Sequence, residues 1–301
     1  MKFPAFNKAV QKCDTVLRSH GIFLTDILIN EDKHILDNVV NLFVGLIGLQ
    51  IGIVDLLTSI GIIPDIIMGH SIGELICGYA DGCLTAEETI MLAYYVGLAF
   101  LKSKIIDGLM AEINLDFKTM KNMCPSDIDI ACYNSSHNCI VSGPTNSNDN
   151  ISVKEISCGR IPFHSRYVES AKVKLLEYLT QILPQKVSPS SKWLSVFSCK
   201  WSGASTKSCL AKYYANHLLA PVLFSENVRF IPNDAVTIEI APNNLLQYIL
   251  NDTLKTTVTN VALYKFSNEP NIEIFLDGIG KLYNAGLQPQ IANLYPEVKF
   301  P

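Results

Sequence analysis

Apolar residues recur on nearly every face of the segment from Asp37 to Leu57, and Gly61 ends the run. Such a pattern predicts a helix buried in a core rather than one lying on a surface. Its most apolar stretch, Val39 to Val54, is interrupted by Asn41 and Gln50 and stops at Asp55. That is short of the roughly 20 residues a membrane span needs, so the segment reads as the core helix of a soluble domain. Ile63 to Met68 follows as a short continuous apolar run, the mark of a strand covered on both faces. It leads directly into Gly69-His70-Ser71-Ile72-Gly73 and then into Glu74 to Ala80, which is helical in composition, giving the order strand, tight turn, helix. A further helix starts at Thr85, where Thr85-Ala86-Glu87-Glu88 forms a capping box, and Leu92, Val96, Ala99 and Phe100 carry its apolar face toward Lys104.

From there to His164 the pattern shortens and alternates. Strands are predicted over Leu109–Leu115, Ile128–Tyr133, Cys139–Ser142 and Ile151–Ile156, with a helix over Phe117–Met123, which together read as a small β-rich insert. A helix returns over Tyr167–Leu183, and Pro184 to Pro189 forms a polar linker. Strands over Leu194–Ser198, Val236–Ile240 and Val258–Tyr264 then alternate with helices over Lys207–Leu219, Asn243–Leu250 and Asn271–Ala285. That alternation predicts a parallel sheet covered on both sides.

Composition narrows the function classes. An apolar fraction of 49% over 301 residues excludes disorder. A net charge of −4 without a basic run leaves no electrostatic footprint for nucleic acid or an anionic membrane, so small molecules or proteins are the expected partners. Nine cysteines, several inside apolar runs and none in a CxxC pair, read as reduced thiols of a cytoplasmic protein and not as a metal site. The first residues, Met1-Lys2-Phe3-Pro4, lack the apolar core of a signal peptide.

Gly69-His70-Ser71-Ile72-Gly73 matches the nucleophile elbow GxSxG. Its two glycines allow backbone to pack closely around a strained turn that lifts Ser71 Oγ out of the sheet. The N–H of Ile72, at the start of the following helix, can then face a developing oxyanion. A serine nucleophile needs a base, and the candidates are His20, His34, His70, His137, His164 and His217. His70 adjoins Ser71 and cannot easily turn back onto its Oγ, while His20 and His34 sit in polar segments. His164, in Pro162-Phe163-His164-Ser165, lies where the insert returns to the main domain, a place suited to a cleft edge, with a satisfied surface histidine as the alternative.

With these residues in hand, the sequence resembles the malonyl/acetyltransferase domain of animal-type fatty acid synthases. The resemblance rests on Gly69 to Leu75 continuing through Gly78-Tyr79-Ala80-Asp81-Gly82-Cys83-Leu84, on Pro162-Phe163-His164-Ser165, and on Glu239-Ile240-Ala241-Pro242 with Leu245-Leu246-Gln247. It implies an α/β fold: an α/β-hydrolase-like parallel-sheet domain over residues 1–105 and 166–301 carrying a ferredoxin-like insert over 106–165. It further implies transfer of an acyl group from coenzyme A to an acyl carrier protein, with the thioester as substrate and no cofactor. Ser71 is then the acylated nucleophile, His164 the base, Ile72 N–H an oxyanion donor, and the backbone carbonyl of His217 the group that orients His164. Val96, Phe163 and His70 are the expected substrate-side residues.

Three departures from the family matter. Members that use malonyl carry, 25 residues after the serine, an arginine that grips the free carboxylate; here that position is Val96. Loss of a buried charge partner costs about 3–5 kcal/mol, so uncharged acyl groups such as acetyl are expected in place of malonyl. The family's glycine-rich strand, source of a second oxyanion donor, has no counterpart within residues 1–301, and the expected site keeps one donor. Six polar residues from Thr145 to Asn150 stand where the insert's second helix belongs. These departures favour two alternatives, a truncated non-catalytic fragment or binding module, and a serine thioesterase or hydrolase.

Overall fold

The computed structural model describes residues 3–145, 154–156, 158–183, 188–196, 210–241, 245–264 and 271–295. Its organising element is helix α3, Val39–Ser59, whose first turn is capped by the Asn38 side chain accepting from the Val40 N–H. Most of its faces are buried, as its apolar pattern requires, because it packs against α1 (Pro4–Leu17) on one side and α5 (Ala86–Leu101) on another. At 21 residues it is longer than the stretch ending at Val54. Asp55 does not stop it, since Tyr79 Oη donates to that carboxylate, and Leu56 and Leu57 go on to a second core with Val261, Phe275, Ile279 and Leu282. By length and composition α3 could cross a membrane; here it is largely buried within the protein itself.

The N-terminal region adds helices that the sequence reading left unassigned. In α1, Ala9, Val10, Cys13 and Leu17 line one face and are fully buried, and α2 (Leu24–Ile29) sets Leu24 and Ile27 against α3. Helix α4 (Glu74–Ala80) is short and leads through a turn to α5, which begins at the expected capping box. There Thr85 Oγ1 accepts from the Glu88 N–H, and the Glu88 carboxylate accepts from the Thr85 N–H.

The insert is a four-stranded antiparallel sheet with strands β1 (Gly108–Ile113), β2 (Asp129–Ser135), β3 (Asn138–Pro144) and β4 (Lys154–Ile156), ordered β2-β3-β1-β4. Helix α6 (Phe117–Met123) crosses from β1 to β2, and this order and crossover are those of a ferredoxin-like sheet. Alternation sorts its residues. Ala111, Cys139 and Val141 face Met120 of α6, whereas Met110, Cys132 and Ile140 face the rest of the molecule through Val222, Phe224 and Ile249. Val222 N donates to the Ala131 carbonyl at 2.9 Å and Tyr133 N to the Val222 carbonyl at 2.8 Å, so backbone hydrogen bonds join insert to body. The polar run expected to replace a second insert helix falls outside the described residues, apart from Thr145.

The remaining helices are α7 (Lys172–Ile182), α8 (Leu210–Leu219), α9 (Phe224–Val228), α10 (Leu245–Thr253) and α11 (Asn271–Asn284). The predicted helix from Tyr167 begins as a 3₁₀ segment, Arg166–Ala171, before α7. Of the expected parallel sheet, the described residues contain the parallel pair β5 (Val236–Glu239) and β6 (Thr259–Ala262) and a one-residue parallel bridge between Ile67 and Trp193. The strands predicted over 63–68 and 194–198 are thus reduced to the neighbourhood of that bridge. Ile63 is exposed and Pro64 has no N–H to give a ladder; Phe197 and Ser198 lie outside the described residues. The described cysteines 13, 77, 83, 124, 132, 139 and 158 are free thiols.

At Gly97 the backbones of α3 and α5 come close, and an added Cβ would stand 2.8 Å from Val40 Cα. Helix propensity alone favours Gly97→Ala by about 1 kcal/mol. Packing opposes it, because a backbone atom is the obstacle and the helices must separate, at about 1–3 kcal/mol. Gly97→Ala is expected to lower stability in chemical denaturation, and a stabilised variant would mean that α3 and α5 are less tightly joined.

Candidate active site

Ser71 opens a 3₁₀ turn, Ser71–Gly73, that runs into α4, and its backbone is left-handed at φ +53°. The turn is tight because of Gly69, where a Cβ would lie 2.4 Å from Glu74 Cα and 2.5 Å from the Gly73 carbonyl oxygen. Only a residue without a side chain fits there. The Gly73 N–H closes the turn on the His70 carbonyl at 2.9 Å.

His164 comes from the far side of the insert, 93 positions away, and its Nε2 stands 2.7 Å from Ser71 Oγ. It too has a left-handed backbone, at φ +56°. Non-glycine residues in that region cost of order 1–2 kcal/mol. Its Nδ1 lies 2.8 Å from the Ala220 carbonyl, which can only accept, so Nδ1 carries the proton and Nε2 is left to accept from the serine. Burial, reinforced by His217 nearby, pushes the His164 pKa down to about 3. The resting ring is therefore neutral and able to take a proton.

The orienting carbonyl is a correction to the sequence reading, which gave that role to His217. The hydrogen bond goes to Ala220, three residues on, and the His217 carbonyl is only a minor influence on His164. Helix α8 ends at Leu219, and the Ala220 carbonyl just past its end is not used by the helix and accepts from the ring. The imidazole of His217 is fully buried and its Nε2 lies 2.8 Å from the Ser71 carbonyl. Burial lowers its pKa to about 4.

His70 points away from the serine. Its Nε2 donates to Asn134 Oδ1 at 2.7 Å, Asn134 Nδ2 to Asn138 Oδ1 at 2.9 Å, and Asn138 Nδ2 to Glu112 Oε1 at 2.8 Å, where Lys154 completes the chain. This polar line runs from the elbow across β2, β3, β1 and β4. It makes His70 a tie between body and insert, and burial lowers its pKa. On the other flank, Glu74 is fully buried, accepts from Trp193 Nε1 at 2.8 Å and from Tyr213 Oη, and is hydrogen-bonded by the Gly69 N–H. Burial outweighs those donors and raises its pKa to about 7.

Val96 is fully buried on α5, one turn before Phe100. Phe100 meets Phe163 edge to face at 5.0 Å between ring centroids, and Phe43 of α3 meets Phe163 at 5.7 Å. Phe163 precedes His164, so this aromatic cluster joins the Val96 face of α5 to the segment carrying the imidazole. On its open side His164 borders a cleft of about 560 Å³ with Tyr133, Phe117, Lys121 and Arg166 on its walls, the last paired with Asp129. Ile72 follows Ser71 within the 3₁₀ turn, partly buried. Among the described residues no cluster of three or more metal-ligating side chains occurs.

Sequence reasoning missed the Ala220 carbonyl, the Glu74–Trp193–Tyr213 group and the Asn134–Asn138–Glu112 line. A glutamate inside the apolar start of α4 was a readable signal for the second; the others depend on long-range pairing.

Comparison with known proteins identifies the family. The family model for the acyl transferase domain matches residues 1–289. Squalestatin hexaketide synthase of a Phoma species is 26% identical over 99% of this chain, and reducing polyketide synthase ppsB of Aspergillus oryzae is 30% identical over 78% of it. The chain spans 12% and 11% of those two proteins. The acyltransferase domain from module 8 of the salinomycin polyketide synthase superposes with a TM-score of 0.84 at 18% identity, covering 97% of this chain and 72% of that one. A malonyl CoA-acyl carrier protein transacylase from Coxiella burnetii gives 0.76 at 19% identity, covering 93% and 90%. The relatives are fungal polyketide synthases, which widens the expected resemblance from animal-type fatty acid synthases to this domain in polyketide and fatty acid synthases generally. The chain belongs to the acyl transferase domain family.

Proposed function

We propose that this chain transfers an acyl group from an acyl-CoA to an acyl carrier protein through an acyl-Ser71 intermediate. The observation that carries the reading is the aligned set Ser71 Oγ, His164 Nε2 and Nδ1, and the Ala220 carbonyl, at 2.7 and 2.8 Å. In the first half-reaction Ser71 Oγ attacks the thioester carbon while its proton passes to His164 Nε2. The tetrahedral oxyanion is met by the Ile72 N–H, and collapse breaks the C–S bond as His164 returns the proton to the departing thiol. In the second half-reaction a carrier thiol attacks acyl-Ser71 with His164 again as base, and the acyl group leaves the enzyme as a new thioester. Coenzyme A enters as part of the substrate, and the resting site needs no cofactor.

The acyl group is uncharged in this reading. Val96 stands where malonyl-using members have arginine, and the neighbouring cluster of Phe43, Phe100 and Phe163 is apolar. A carboxylate brought there loses its water without gaining a cation, whereas an acetyl methyl group does not. The work belongs to the cytoplasm, where acyl-CoA and reduced thiols coexist.

Incubation with acetyl-CoA is expected to add one acetyl group by intact mass, at Ser71, and Ser71→Ala should abolish it; an adduct that survives the substitution removes this serine from the mechanism. In competition, acetyl-CoA should outrun malonyl-CoA in kcat/KM, and Val96→Arg should shift the ratio toward malonyl by about tenfold or more. Wild-type protein that loads both equally would mean that another cation serves the carboxylate. Because the His164 pKa is lowered to about 3, its base form persists on acidification. The rate of Ser71 acetylation is expected to stay within about twofold from pH 8 to 5.5, whereas an ordinary histidine would lose about tenfold. Glu74 titrates inside that window, so Glu74→Gln is run alongside; an acidic limb near 6.5 in both proteins would contradict a buried neutral base.

A further inference from the structure

The imidazole of His217 meets the carbonyl of Ser71. A carbonyl oxygen offers no proton, so the Nε2 of His217, 2.8 Å away, must be the protonated nitrogen and the donor. The same carbonyl faces the Glu74 N–H at the end of the 3₁₀ turn. One oxygen thus receives a backbone donor from inside the turn and a side-chain donor from α8, 146 positions away. The ring is itself held: it is fully buried and stacks on Tyr213, the planes 10° apart, while Tyr213 donates to Glu74.

The carbonyl of Ser71 and the N–H of Ile72 are the two ends of one planar trans peptide, so they point in opposite directions. Fixing the carbonyl therefore fixes the line along which the Ile72 N–H points. A donor on the oxygen also polarises the amide and makes its N–H a stronger donor, since hydrogen bonds in series reinforce one another. The need for such an anchor is visible in the backbone. Ser71 sits at φ +53°, a conformation that persists only where surrounding contacts over-determine it.

We propose that the imidazole of His217 is a positioning residue for acyl transfer, which holds the Ser71 carbonyl and thereby aims and strengthens the Ile72 N–H toward the oxyanion. The role rests on the acyl-serine reading and deepens it. His217 touches neither substrate nor the reacting oxygen; it acts through the Ser71–Ile72 peptide. What the role needs is a neutral N–H donor at this place, not a titrating base, so a side-chain amide should serve in its stead.

A fluorophosphonate ester tests the role without any acyl-CoA. Ser71 Oγ attacks phosphorus, a P–O bond forms, the P–F bond breaks, fluoride leaves and the proton passes to His164, with the phosphoryl oxygen occupying the oxyanion position. His217→Leu is expected to slow this labelling by about tenfold or more, within the range for a weakened oxyanion donor, while either His217→Asn or His217→Gln stays within about threefold of wild type. With acetyl-CoA the loss should fall on kcat and leave KM within about twofold. Melting curves for all variants separate slow labelling from unfolding. Nitrogen shifts of the wild-type imidazole provide a reading independent of the leucine variant, with the proton expected on Nε2. A proton found on Nδ1, a folded His217→Leu that labels at the wild-type rate, or amide variants as slow as the leucine would each overturn the role alone. Wild-type protein that takes up neither phosphonate nor acetyl overturns the acyl-serine reading, and this role with it.

Discussion

Two side chains that must meet across 93 positions of sequence both sit on left-handed backbone, at φ +53° and +56°. Each conformation costs about 1–2 kcal/mol, and neither residue is a glycine that could adopt it freely. The strain is localised where Ser71 Oγ and His164 Nε2 face each other, so the rest of the fold has to hold it. At the serine, Gly69 packs against the backbone of Glu74, the Gly73 N–H closes on His70, and His217 grips the Ser71 carbonyl. At the histidine, Ser165 Oγ bonds the Pro162 carbonyl and caps the following segment, while Ala220 fixes the ring. Burying polar groups so densely is costly, and the hydrogen bonds among them offset much of that cost.

The same arrangement ties the insert to the site. His70 is half-buried beside the nucleophile yet donates outward to Asn134, and the line through Asn138 and Glu112 ends at Lys154 on the outermost strand. His164 follows the last insert strand in the chain, and Val222, which pairs with β2, follows the Ala220 carbonyl by two residues. Moving the insert relative to the body therefore moves the base, its orienting carbonyl and the His70 tie together. The cleft beside His164 lies between Tyr133 and Phe117 of the insert and Leu219 and Pro221 of the body, so its width depends on that shared placement.

Much of this was legible in the sequence for local reasons. The capping box at Thr85, the apolar saturation of α3, the period-two strands of the insert and the elbow itself are set by neighbours in the chain, and each falls close to its predicted position. His164 could be favoured only by its place at the end of the insert, since a hydrogen bond across 93 residues leaves no periodic trace. That the orienting carbonyl is Ala220 and not His217 is not legible, because a carbonyl is offered by every residue and sequence does not say which one faces a ring. Helices α1 and α2 are poorly legible because their apolar positions are diluted by polar ones; burial against α3 supplies what propensity does not. The strand predicted over 63–68 is shorter in the structure, since a short apolar run does not reveal that Ile63 faces outward and Pro64 has no N–H to pair.

A neutral carbonyl in place of a carboxylate behind the base has consequences for the proposed chemistry. A buried carboxylate would stabilise imidazolium and raise the histidine pKa; Ala220 brings only a dipole, and burial keeps His164 down at about 3. The neighbouring imidazoles of His217 and His70 are held neutral by the same burial. When Ser71 attacks a thioester, the proton that reaches His164 creates a cation with no fixed counter-charge among its hydrogen-bond partners. The charge that can face it is the oxyanion formed in the same step. Proton transfer and carbon–oxygen bond formation then favour one another, because each charge is costly alone in a low-dielectric site and much less so as a pair. The dyad is thus idle toward its own serine until an acyl carbonyl is in place, and the charge pair disappears again when the thiol departs with the proton.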